Sequence, residues 1–273
     1  MLPESIWAHA WFNHWQHYGV QILNAWQEQP EALHACLAAK QTDYVAVPQT
    51  TLPTDEAYEA FIYRTHTVPT RNNAHDFFNG LAWLRFPRTK QQLNRLQAQA
   101  IQQEGVTAQR GALRDALTLF DENAALLCAP EVLWQALQAQ DWQALFVTHR
   151  AAWKDAHLTL FGHALLEKLL KPYKSITAHV LCVPVPSDIH AAGDSALDAW
   201  LSQQIHANEM QRKPFLPLPV LGVPGWWKPN EDASFYVDTQ VFRPQKNKGI
   251  EKNKITPTIF SLRSSSWPVQ RTS

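Results

Sequence analysis

A histidine and a glutamate stand four residues apart in FGHALLEK, His163 and Glu167, just after Gly162. On a helix that spacing puts both side chains on one face. An imidazole beside a carboxylate can hold a divalent metal or share acid–base work, and a helix start adds positive potential for an anion. A second set lies in VPTRNNAHDFFNGLAWLRFPRTKQQLNR, where His75 and Asp76 are followed by Asn79. His75 and Asn79 share a helix face, while Asp76, about 100° round, reaches the same site from the helix start. RGALRDALTLFDEN supplies Arg110, Arg114 and Asp115, then Asp121 and Glu122. His179 enters an apolar run, TAHV. Each set also has an ordinary explanation. HxxxE arises by chance, Asp121-Glu122-Asn123 is usual turn composition, and a strand histidine is commonly a hydrogen-bonded core residue. None of the GxSxG, HExxH, Walker or GxGxxG patterns is present, so no short motif names a reaction.

The whole chain constrains what such groups could serve. Its 273 residues, 45% of them apolar, suffice for a real core without metal or disulfide staples. With 24 basic against 24 acidic residues, it is no polyanion-coating protein. Charge is nevertheless uneven: Arg64–Arg114 carries eight basic residues against Asp76 and Glu104, while Met1–Tyr63 has seven acids and one lysine. That basic segment contains His75 and could receive a phosphate or carboxylate; pairing with the acidic segment would explain it equally well. Cys36, Cys128 and Cys182 lie among apolar neighbours without metal-knuckle spacing, and read as reduced small hydrophobes of a cytoplasmic protein. Neither a signal-peptide pattern nor an apolar run of about 18 residues is visible. The 12 tryptophans point to an aromatic core.

The elements that must position these groups follow from periodicity. Trp7, Trp11, Trp15, Tyr18, Ile22 and Trp26 form a helical stripe that packs inward, interrupted at Gly19. Helices are expected over 31–40, over 55–64 behind a Thr54 cap, over 75–85 behind Asn73, and over 89–103 behind Thr89. Pro87 should end or break the third of these. Ala116–Phe120 and Ala124–Cys128 read as a hairpin around Asp121-Glu122-Asn123. Further helices are expected from Pro130 and over 141–153, 163–170 and 196–207, with strands at 44–47, 158–161 and 177–184. Residues 213–230 carry too many prolines for regular structure and should form an ordered wrap. Phe235–Phe242 reads as an edge strand, and the basic, serine-rich 245–273 as a disordered tail. The sum is an α+β fold: one mixed domain over 1–244 with a small sheet, several helices and a proline-rich C-terminal wrap.

VPTRNNAHDFFNGLAWLRFPRTKQQLN, RGALRDALTLFDEN, LFGHALLEKLLKPYKSITAHV and LGVPGWWKPNEDASFYVDTQVFRP together resemble the bacterial proteins grouped as DUF3025, over about residues 5–244. The resemblance implies no activity. From the residues themselves the leading expectation is a hydrolase of an anionic, phosphate-bearing small molecule. His75, Asp76, His163 and Glu167 would hold a divalent metal or share acid–base work. Arg71, Arg110 and Arg114 would bind the anion, with Asn79, Asp115 and His179 as secondary candidates. The alternatives are a non-catalytic binding module using the aromatic and proline-rich segments, and a nucleic-acid binder using 64–114 and the tail, which the neutral total disfavours. All versions of the enzyme reading require the imidazoles of His75 and His163 to share one hollow.

Overall fold

The computed structural model describes residues 2–41, 43–104 and 111–244; the expected disordered tail, 245–273, lies outside the described residues. Two short 3-10 helices, Glu4–Ala8 and Ala10–Trp15, lead into α1 (Gln16–Glu28) and α2 (Leu33–Ala38). Then come β1 (Val45–Pro48), α3 (Tyr58–Thr65), β2 (Thr67–Thr70), α4 (Ala74–Arg85), α5 (Pro87–Glu104) and α6 (Ala112–Asn123). The second half holds β3 (Ala124–Cys128), α7 (Glu131–Gln138), β4 (His157–Leu160), α8 (His163–Lys168) and β5 (Thr177–Leu181). It closes with α9 (Ser187–Ala191), α10 (Asp194–Gln204), α11 (Ala207–Met210) and β6 (Phe215–Pro219). The fold is α+β, as the mixed pattern implied.

β1 and β2 form a small parallel pair, and the main sheet runs β4-β3-β5-β6. β3 is parallel to β5 and antiparallel to β4. All five of its residues are buried, which suits an uninterrupted AALLC run with neighbours on both sides. One apolar cluster extends from Ile6 to Phe242. Within it lies α4, buried nearly all round, its apolar residues broken only by Asp76, Asn79 and Arg85 among the buried ones. Phe78 stacks on Phe12 at 5.6 Å, and Phe77 on Trp26 at 5.7 Å.

Trp7, Trp11, Trp15 and Trp26 are all buried, so the stripe does face the core. Gly19 does not break it: Gly19 lies inside α1, and a Cβ there would meet the Trp7 ring at 2.0 Å. The glycine is the seat of that indole. The expected hairpin is instead the helix α6 running directly into β3, whose antiparallel partner is β4. Leu113, Ala116, Leu117 and Phe120 recur at helical spacing, and that period overrides the turn-like Asp121-Glu122-Asn123. α3 starts at Tyr58 behind Ala57, not behind Thr54, and Pro87 opens α5, not merely closing α4, since a proline costs a first helical turn nothing. Residues 141–153 give a π-helical turn, Ala144–Thr148, and part of the 3-10 helix Arg150–Asp155. Within the proline-rich wrap, Phe215–Pro219 pairs with β5 as an outer strand, where proline is tolerated. Residues 233–237 are 3-10 helix instead of strand. Asn230 pins the wrap by donating to the carbonyls of Leu221 and Val223. The three cysteines are free. Among the described residues no helix is long and apolar enough to cross a membrane.

Candidate active site

Three chain junctions converge below α5. The first is the start of α4. Asn73 caps it by accepting from the Asp76 backbone N–H at 2.8 Å. The Asp76 carboxylate turns back to the backbone N–H of Arg71 at 2.6 Å and to its guanidinium at 2.9 and 3.1 Å. These bonds fix the first turn and leave His75 projecting. The second junction is the end of α6, carrying Asp121 and Glu122. The third is the passage from β4 into α8. There the N–H groups of Phe161 and Gly162 both donate to the Ala124 carbonyl. A Cβ on Gly162 would lie 2.4 Å from Glu122 O and Asn123 N. Only glycine lets the α8 start press so closely on the α6 end, and that approach puts His163 beside Asp121 and Glu122.

The two imidazoles meet, Nε2 to Nε2, at 3.1 Å, with ring planes at 78°. Glu122 Oε2 lies 3.6 Å from His163 Nε2. His75, Glu122 and His163 each offer one donor atom, all within 4.8 Å of one another. Behind this trio stand two more carboxylates. Glu167 Oε2 is 2.9 Å from His75 Nδ1, and Asp121 Oδ2 is 3.8 Å from His163 Nδ1, which has no hydrogen bond among the described residues. Lys90, almost fully buried, donates to Asp121 Oδ1 at 2.6 Å and to Asn79 Oδ1 at 2.9 Å. Asn79 in turn donates to the Tyr58 hydroxyl at 3.4 Å.

Burial sets the charge states. It pushes the His163 imidazole down to about 3 against the pull of Asp121, so the ring is neutral near pH 7, as a metal ligand must be. Burial alone would raise Asp121, but Lys90 together with the His163 and His75 rings outweighs it and the carboxyl ends below its usual range. Glu122 is raised by burial and by the Asp121 charge. Burial holds the Tyr58 phenol well above its ordinary value, which keeps it a donor.

Comparison with known families matches residues 44–246 to the family described as "Protein of unknown function (DUF3025)". The chain belongs to DUF3025. No curated protein and no solved structure matches it. The DUF3025 segment holds every residue of the site just described. It starts at residue 44, later than the resemblance at about residue 5, although the preceding helices share the same core.

Of the residues singled out in the DUF3025 sequence, His75, His163 and Glu167 come together. A cavity of about 480 Å³ opens above them, lined also by Tyr58, Lys90, Arg114 and Asp121. Asp76 lines that cavity, but its carboxylate is taken up by Arg71 and the α4 cap, so it does not join the donor trio. Glu167 backs His75 and does not face the trio's centre. Arg71 and Arg114 line the cavity, and so does Asn79. Asp115 is exposed and lies off the lining. His179, on β5, packs edge-on against Phe215, also off the lining. Arg110 is outside the described residues. Sequence reasoning named Asp121 and Glu122 but set them aside as turn composition, and it missed Lys90 and Tyr58 as site groups. A signal for the first two existed. Once α6 is read as a helix, two acids fall on its C-terminal turn, where the helix dipole opposes them, so a cation is needed nearby.

Proposed function

We propose that this DUF3025 chain is a divalent-metal-dependent hydrolase of an anionic, phosphate-bearing small molecule. The observation that carries the reading is the nitrogen pair at 3.1 Å with a carboxylate behind each ring. Two nitrogens about 2.05 Å from one metal stand roughly 2.9 Å apart at a right angle and roughly 3.3 Å apart in a tetrahedron. The His75–His163 separation falls between these values. Without a metal, one neutral ring in its Nε2–H tautomer donates to the other ring's Nε2; a metal would take the place of that proton between the two nitrogens. Glu167 and Asp121 play the part of outer carboxylates that orient metal-binding imidazoles.

His75, His163 and Glu122 would be the ligands, in place of the set with Asp76 and Glu167. Three protein ligands leave a coordination position for water, and a metal there lowers that water's pKa toward neutrality. Lys90 keeps Asp121 ionised. Arg71, more than half exposed beyond its pairing with Asp76, and Arg114 supply positive charge for the substrate. The cavity is of the size that small-molecule sites use. The free cysteines fit a cytoplasmic location.

Metal-free protein, titrated calorimetrically with zinc, manganese and ferrous ions, should take up one ion. The His163→Ala and Glu122→Gln variants should each bind it at least about tenfold more weakly. Zinc-loaded protein should then hydrolyse members of a phosphomonoester and phosphodiester panel. No uptake of any ion would overturn the proposal; uptake without turnover would replace it with the binding-module reading.

A further inference from the structure

The cavity has a second end. Arg114, Thr118, Asp121 and Glu122 all line it, and their spacing places them on one face of α6. Arg114 and Glu122 are eight residues apart, about 12 Å at 1.5 Å per residue. Facing them, Lys90, Leu93, Asn94, Gln97 and Ile101 line the cavity from one face of α5. The Lys90–Asp121 bond ties the two helices at the imidazole end. Toward the Arg114 end Asn94 donates to Glu59, which also lines the cavity, but three other buried polar atoms lack a partner among the described residues. Arg114 is 9% exposed, and its Nε and Nη1 have no hydrogen-bond partner among the described residues. Asn94, 2% exposed, has an unmatched Oδ1.

A guanidinium stays charged at any ordinary pH, and a buried charge without a full set of partners costs several kcal/mol. Nothing in the imidazole cluster relieves that cost. A ligand acid would. We propose that Arg114 anchors a second subsite, which holds a carboxylate or phosphate about 12 Å from the metal end. The substrate is then an elongated acid whose charged head sits at Arg114, whose middle lies on Leu93 and Ile62, and whose reacting bond reaches the metal. Asn94 accepts from an N–H or O–H near the head. The head-group assignment stands on Arg114 alone; the placement of the reacting bond rests on the hydrolase reading above.

The test uses the full chain, metal-free and zinc-loaded, titrated calorimetrically with hexanoate, hexyl phosphate and straight-chain dicarboxylates from succinate to sebacate. The metal-free protein should bind hexanoate or hexyl phosphate, and the tighter of the two identifies the head group. Arg114→Met should weaken that binding about tenfold or more, the loss of one charge-assisted contact, while leaving zinc affinity unchanged. With zinc bound, one dicarboxylate of intermediate length should bind about tenfold tighter than hexanoate. If Arg114→Met fails to fold, ¹⁵N-arginine spectra of the wild type serve instead, where the Arg114 Nε–H signal should move as hexanoate saturates. Equal binding by wild type and variant, or an unmoved Nε–H signal, overturns the subsite. Loss of zinc binding with the Arg114 effect intact overturns only the hydrolase reading.

Discussion

Gly162 carries more of the site than any charged residue, because it decides whether the α8 start can touch the α6 end. In Gly162→Ala the new Cβ would fall 2.4 Å from backbone atoms of Glu122 and Asn123, and backbone cannot rotate away. The two junctions must separate, at a cost of about 1–3 kcal/mol, and His163 moves off Glu122. Urea unfolding should show that loss, with metal affinity falling at least about tenfold. Full stability and unchanged metal binding would show that the close approach is not needed. His14 gives a second expectation at this scale. Burial, with Arg85 adding, pushes its imidazole from 6.5 down to about 4. The unfolded chain therefore takes up the proton first as pH falls. Stability is full above about pH 6.5, declines toward pH 4, and is flat below, with a total loss of up to about 3 kcal/mol. In His14→Gln the difference between unfolding free energies at pH 7 and pH 4.5 should shrink by a large part of that; an unchanged difference would count against the buried neutral ring. At the residue scale, His75, His163 and Glu167 were legible from type and spacing. Glu122 was not, because Asp-Glu-Asn has turn composition whichever element contains it.

The helix that forms one wall of the cavity, α5, is held from outside its own segment. Asp198 on α10 accepts from the N–H groups of Arg88 and Thr89 at 3.0 and 2.9 Å and from the Thr89 hydroxyl at 2.8 Å. These are first-turn donors that a helix leaves unpaired, and here a residue about 110 positions away serves as the cap. Local reading put the cap on Thr89; the hydroxyl does take part, but as a donor to the true cap. No local pattern reveals a cap supplied by another helix, just as none revealed that Lys90 pairs with Asp121. Where an element is defined by its own pattern, as in α4 and in β3 and β5, the sequence reading located it to within a few residues. It failed at α6, where turn-like composition masked a helical period, and at the 3-10 segment 233–237, capped by Asp232. Asp198→Ala should lose about 2 kcal/mol or more of stability, since buried backbone donors are left unsatisfied. Asp198→Asn, which keeps an acceptor, should lose less. Equal losses from the two variants would refute the capping role.

At the scale of the molecule, the proposed ligands tie together segments 88 residues apart, the start of α4 and the start of α8, with the end of α6 between them. An unfolded chain cannot hold that geometry, so whatever ion binds must stabilise the fold by mass action. If the dissociation constant is roughly 1 µM, about 100 µM free zinc adds about 2.7 kcal/mol, which for a chain of this size raises the melting temperature by roughly 5–10 °C. The rise should vanish with a chelator and in His75→Ala, and magnesium should give none, because an imidazole-rich donor set favours borderline metals over a hard cation. His179→Ala offers the control: its imidazole is also part-buried and lowered by burial, yet it lies off the cavity, so zinc should stabilise that variant as it does the wild type. A melting temperature indifferent to zinc in wild-type protein, or a rise that survives His75→Ala, would mean that the paired imidazoles are held by Glu167 and by each other alone.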